Sequence, residues 1–234
     1  MTAAPVKIAY FSDILCIWAY IHEVRMRALL HHFAEQVTIS YHFMPLFASA
    51  HHKIQTGWAD RGGFQGYGAH VYNTAQRYEH IHVDSRVWAE VAPRSSASVH
   101  NFIKALQLLE QAGEISAERQ AAYKHRTPVE EAIWRLRLAF FHDARDISLR
   151  DTQLEIADSL GFSGEKIMAL IHSGESLASF FLDLQLKDEM RVQGSPTLVL
   201  NQGRQILYGN VGYRVLEANI QELLTESGEQ ASWC

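Results

Sequence analysis

Strand-like patterning is confined to the two ends of this 234-residue chain. Near the start, Val6, Ile8, Tyr10 and Phe11 make a first strand. Ile17, Ile21, Val24 and Ala28 follow at helical spacing, through about Phe33. Val37, Ile39, Tyr41 and Phe43 then alternate with Thr38, Ser40 and His42, the period-two signature of a strand, and Pro45 ends it. The first 45 residues therefore read as a βαβ unit. The strand signal returns only at Thr197–Leu200. Asn201–Arg204 reads as a turn, Gln205–Tyr208 pairs back as a hairpin, and a last helix carries Leu216, Ile220, Leu223 and Leu224. The two ends can form one sheet. This predicts an α/β domain from residues 1–45 and 190–234, interrupted by an all-helical subdomain over 46–189.

The intervening segment is helical by pattern. Val99, Phe102, Ile103, Leu106 and Leu109 mark one helix, stopped at Gly113. Thr127-Pro128-Val129-Glu130 is a capping box with proline at the first helical position, and it opens a helix carrying Ile133, Leu136 and Phe140. Ser148 is expected to cap the next, which ends at Gly161. Ile167, Leu170 and Ile171 mark a short helix, and Leu177, Phe180, Phe181 and Leu184 another. Gly57 to Gly68 holds five glycines in twelve residues, with neither a GxGxxG nor a P-loop spacing. It reads as a mobile flap near a cleft.

The net charge of −5 leaves no basic footprint for nucleic acid, and no apolar run is long enough to cross a bilayer. Two cysteines, Cys16 and Cys234, are too few for a disulfide framework. With no export signal at Met1–Pro5, the expected location is the cytoplasm, where both thiols would be free. Histidines recur as His31-His32, His51-His52 and His80-x-His82, without an accompanying cysteine or an H-E-x-x-H motif. No metal site is expected from them.

Cys16 stands where the first strand hands over to the first helix. A thiol at a helix N-terminus has its thiolate stabilised by unpaired backbone N–H groups and by the macrodipole. A depressed thiol pKa is therefore expected. A dithiol motif would put a second cysteine at position 19, but Ala19 stands there. A mixed disulfide at Cys16 must then be resolved by an external thiol or by Cys234. Net oxidation by disulfide handover is disfavoured.

Four pieces carry a family resemblance: Ser12-Asp13-x-x-Cys16-x-Trp18; His100 after Pro93-Arg94-Ser95-Ser96; Arg145-Asp146-Ile147-Ser148; and Gly194-Ser195-Pro196-Thr197. In their order and spacing the chain resembles the DsbA-like superfamily of the thioredoxin fold, closest to its FrnE-like branch of cytoplasmic thiol–disulfide oxidoreductases. It departs at Ile17 and Ala19, where that pattern has Cys-Pro-Trp-Cys. Kappa-class glutathione transferases and 2-hydroxychromene-2-carboxylate isomerases are similar in layout and also lack a dithiol.

The resemblance implies a thioredoxin-like fold with a large helical insertion and a cis Ser195–Pro196 bond facing Cys16. It implies Cys16 as nucleophile, with Ser195, Pro196, Trp18 and His100 binding substrate and glutathione as co-substrate, with no tightly bound cofactor. Trp18 reads equally as a core aromatic. Asp13 either complements the helix start or raises the thiol's pKa. Partners would be protein or small-molecule disulfides; the oligomeric state is left open, a homodimer included. Three readings stay open: monothiol oxidoreductase, glutathione transferase or isomerase, and non-catalytic partner binding.

Overall fold

A computed structural model describes residues 5–225. Its sheet has four strands in the order β2-β1-β3-β4. β1 (Val6–Ser12) pairs parallel with β2 (Val37–Phe43) and antiparallel with β3 (Thr197–Leu200), which pairs antiparallel with β4 (Gln205–Tyr208). The two ends of the chain thus share one sheet, with β1 and β3 at its centre. Helix α1 (Ile17–Phe33) crosses between β1 and β2, and α9 (Tyr213–Thr225) closes the described chain. Val6, Ile8 and Tyr10 of β1, Met26 and Leu29 of α1, and Leu216 and Ile220 of α9 bury one face of the sheet together. Strand alternation makes this possible, because it sends every second residue of β1 to that face.

Between β2 and β3 lie seven helices: α2 (Ala50–Gly57), α3 (Gly63–Ala75), α4 (Ala97–Gln111), α5 (Pro128–Phe141), α6 (Arg150–Asp158), α7 (Gly164–Ser173) and α8 (Glu175–Glu189). Their core is continuous with the first turns of α1, since Ile14, Leu15, Ile17, Tyr20 and Ile21 pack among Phe102, Ile103, Leu106, Phe140 and Phe141. The capping box at Thr127 forms as read, with Thr127 Oγ1 accepting from the Glu130 N–H and the Glu130 carboxylate accepting from the Thr127 N–H. α6 departs from expectation. Its N-cap is Leu149, and Ser148 instead hydrogen-bonds Asp146 through both its N–H and its hydroxyl.

The glycine-rich stretch is not a flap. It folds as the end of α2, a 3₁₀ turn over Ala59–Arg61 and the first half of α3. Two of the glycines serve close packing. A Cβ on Gly66 would sit 1.7 Å from the Arg61 carbonyl oxygen, and one on Gly68 would sit 2.9 Å from the Val87 carbonyl oxygen. Glycine composition alone does not separate a turn from a helix that must press against backbone.

Two ionic clusters join the insertion to the sheet. In the first, Arg137 of α5 reaches Glu23 of α1 at 3.3 Å and the Ser12 hydroxyl of β1 at 3.1 Å. Arg126 contacts both Glu23 and Glu131 and lies over the Trp134 ring. In the second, buried Asp183 of α8 takes Lys104 of α4, His42 of β2 and the Phe43 N–H. No described helix is alone long and apolar enough to cross a membrane.

Candidate thiol site

Cys16 is the N-cap of α1, in extended conformation, and is 6% exposed. The turn leading to it leaves no backbone donor idle. The Asp13 N–H donates to Ser195 Oγ at 2.9 Å, the Ile14 N–H to His100 Nε2 at 3.1 Å and the Leu15 N–H to Asp13 Oδ1 at 2.8 Å. The Cys16 N–H donates back to the Asp13 carbonyl at 3.1 Å. Buried backbone donors must be paired, and here partners from β3's approach, from α4 and from the turn itself hold the thiol's platform.

The Ser195–Pro196 peptide is cis, as the resemblance implies. The thiol donates to the Ser195 carbonyl at 3.4 Å, within reach for sulfur. Gly194 brings this loop against Tyr208, whose ring would stand 2.5 Å from any Cβ there. Trp18 contributes its amide, which with that of Ala19 faces the sulfur. The indole ring itself packs edge-on against Tyr78. His100 is fully buried behind the turn, between Phe43 and Phe180, and meets the site through the Ile14 N–H. Cys234 lies outside the described residues.

The expected depressed thiol pKa is not what this environment produces. Burial pushes the Cys16 thiol above its ordinary value, and the charge of Asp13 adds to the rise. The Ser195 side chain and the Ala19 and Trp18 amides oppose it without prevailing. The sequence shows the helix N-terminus but not the depth at which it is buried.

Asp13 is wholly buried and held up to about 6, chiefly by desolvation. Its carboxylate also accepts from the Phe47 N–H at 3.0 Å and the Ser96 hydroxyl at 2.7 Å. Sequence reasoning assigned no role to Ser96, although it lies in a quoted motif. Tyr67 of α3 was hidden by the glycines read as a loop. It comes close enough for the charges of Cys16 and Asp13 to help raise its phenol's pKa, after burial.

Burial also drives His100 and His22 down to about 3, so both are neutral in the folded state. Unfolded, they would take up protons below their usual 6.5, and the folded chain resists this until near pH 3. Stability carried by these groups is full above pH 6.5 and is lost as pH falls through that window. Asp13 acts oppositely, losing stability as pH rises from 3.8 to about 6. Two larger histidine shifts outweigh one carboxylate, so the urea midpoint is expected to fall on acidification. Neither ring nitrogen of His22 has a hydrogen-bond partner. Replacing His22→Phe should therefore flatten that fall; an unchanged slope would refute the account.

Cavities of about 600, 340 and 320 Å³ run along β2, and none includes Cys16.

Comparison with known proteins agrees with this architecture. The model of the DSBA-like thioredoxin domain matches residues 7–221. The chain belongs to that family. No curated protein sequence matches it. Among solved structures it is similar to a "probable DsbA oxidoreductase" from Streptomyces coelicolor, with a TM-score of 0.71 and 16% identity, covering 98% of this chain and 93% of that one. The cytosolic disulfide reductase DsbM from Pseudomonas aeruginosa, solved with GSH, gives 0.63 and 17%, covering 92% and 99%. A 2-hydroxychromene-2-carboxylate isomerase gives 0.61 and 15%, covering 97% and 100%. At these identities the likeness is one of fold.

Proposed function

We propose that this chain is a monothiol, DsbA-like oxidoreductase acting in the cytoplasm by mixed-disulfide exchange with glutathione. The observation that carries the reading is the placement of Cys16 at the start of α1 against the Ser195 carbonyl beside cis Pro196. Residues 1–45 and 190–234 supply this thiol and its facing loop, and the insertion over 46–189 backs it. An extended peptide or glutathione would pair with the Ser195 backbone, next to the sulfur. Trp18 would border the bound group.

In the first step the Cys16 thiolate attacks one sulfur of a substrate disulfide, forming a mixed disulfide and releasing the other half as a thiolate. A glutathione thiolate then attacks the substrate sulfur of that bond. Cys16 leaves as thiolate, and a substrate–glutathione disulfide departs. A second glutathione reduces this product, so two glutathiones become one glutathione disulfide per substrate bond reduced. Ala19 supports the external route, because no second thiol stands within the motif. The likeness in fold to a cytosolic reductase solved with GSH is consistent with it.

One observation favours a second reading. Burial keeps Cys16 protonated at rest, and a neutral S–H can donate to the thiolate of a bound glutathione without attacking it. That is the transferase or isomerase reading. Intact-mass analysis after glutathione disulfide separates the two. A single glutathione adduct mapped to Cys16 supports exchange. Glutathione that binds without an adduct refutes exchange in favour of the second reading.

A further inference from the structure

Asp13 takes part in more of the site than a helix-start carboxylate needs to. One oxygen holds the Leu15 N–H of its own turn, and the other holds the Phe47 N–H and the Ser96 hydroxyl, both in the segment between β2 and β3. His100 Nε2, from the same segment, lies 3.8 Å from Asp13 Oδ1 and grips the neighbouring Ile14 N–H. The 13–16 turn is therefore clamped from the insertion by the fully buried Asp13 carboxyl group and by His100. Its charge opposes ionisation of Cys16.

We propose that Asp13 is a positioning residue through which the helical insertion tunes the ionisation of Cys16: Phe47 and Ser96 hold the carboxylate in its charged form, and that charge adds to the burial that keeps the neighbouring thiol protonated. The physical chain is short. Hydrogen bonds to the charged form keep a buried carboxyl ionised, and a like charge nearby disfavours the thiolate. The titratable groups facing Asp13 are Cys16 on its own turn, His100 from α4, Lys53 from α2 and Tyr67 from α3. His100 is neutral, because burial has driven it to about 3. β3's approach presents only the hydroxyl of Ser195. Asp13 is thus the carboxylate whose change of charge, held up to about 6, falls within the range where the thiol's reactivity can be followed.

This inference rests on Cys16 being the reactive group, but not on glutathione. The test is the rate of carbamidomethylation of Cys16 by iodoacetamide in the full chain, followed by mass spectrometry from pH 5 to pH 10. The unsubstituted protein should show two inflections, a lower one from Asp13 and an upper one from the thiol, as coupled groups do. Asp13→Asn should remove the lower inflection and speed alkylation at pH 7 by about threefold. That is a tenfold gain in thiolate from a shift of about one pKa unit, less the nucleophilicity lost with it. Ser96→Ala touches neither the sulfur nor its helix. It should move the lower inflection to higher pH, which a purely structural role would not do.

Superimposable profiles for Asp13→Asn and the unsubstituted protein would overturn the proposal. Should Asp13→Asn fail to fold, Ser96→Ala decides alone, and an unmoved lower inflection would overturn it equally. A missing glutathione adduct alongside an Asp13-dependent alkylation profile would sink the exchange reaction and leave this inference standing.

Discussion

Cys16→Ser should abolish glutathione-dependent disulfide reduction, a fall on the order of 10³-fold or more, the scale on which loss of a nucleophile is felt in other enzymes. The argument rests on chemistry more than on position. A serine hydroxyl at the same N-cap keeps the shape of the junction and can still donate to the Ser195 carbonyl, now 3.4 Å from the sulfur. It cannot attack a disulfide at neutral pH, because exchange needs a thiolate. The substitution is also conservative for folding, since serine is among the preferred N-cap residues. An inactive variant with an unchanged urea midpoint would therefore isolate the chemistry. A fully active one would mean that Cys16 is not the nucleophile. If Cys16→Ser instead retained a glutathione-linked transfer or isomerisation, the hydroxyl would be standing in for a neutral thiol donor.

Glu23→Leu should cost about 3–5 kcal/mol of folding stability, the usual penalty for removing one member of a buried ionic cluster. Glu23 is the common acceptor for Arg126 and Arg137, each met at 3.3 Å, and both guanidiniums are buried. Arg126 would keep Glu131 and the Trp134 face. Arg137 would keep only the Ser12 hydroxyl among these partners and would be a charge stranded beneath β1. The cost arises from that stranded charge rather than from the worth of the pair itself. For comparison, Glu155→Gln breaks the exposed pair with Arg145 and should change stability by about 1 kcal/mol at most. Urea unfolding checks both, with the midpoint falling by about 1–2 M for Glu23→Leu. A shift no larger than that of Glu155→Gln would show that this cluster does not hold the insertion to α1.

The parts legible in advance were those with local causes. Alternation gave away β2, helical spacing gave α1 and α9, and the capping box placed the start of α5 at Pro128. Cys16 could be put at a strand–helix junction because a short apolar run that reads as a strand precedes it and helical spacing follows it. The misreadings share a cause as well. The close packing of Gly68 and the pKa of Cys16 depend on what lies across from them, namely the Val87 carbonyl and a layer of insertion side chains. His100 could be singled out by motif, but its burial behind Ile14 could not. Ser96 lay in a quoted motif with no role attached, and Tyr67 carried no signal of its own, since a tyrosine among glycines has many ordinary uses.

The sequence by itself determined that strands occur only at the ends, that a helical block separates them, and that one thiol without a near partner opens the first helix. Those properties follow from periodicity, capping and the identity of residue 19, all of which act over a few residues. Only the tertiary structure decided how that thiol behaves. Closing the two ends into one sheet sets Ser195 against Cys16, and packing the insertion onto the junction buries Asp13 and the sulfur together. Ionisation depends on the solvent and charge that surround a group, and those come from residues distant in the chain.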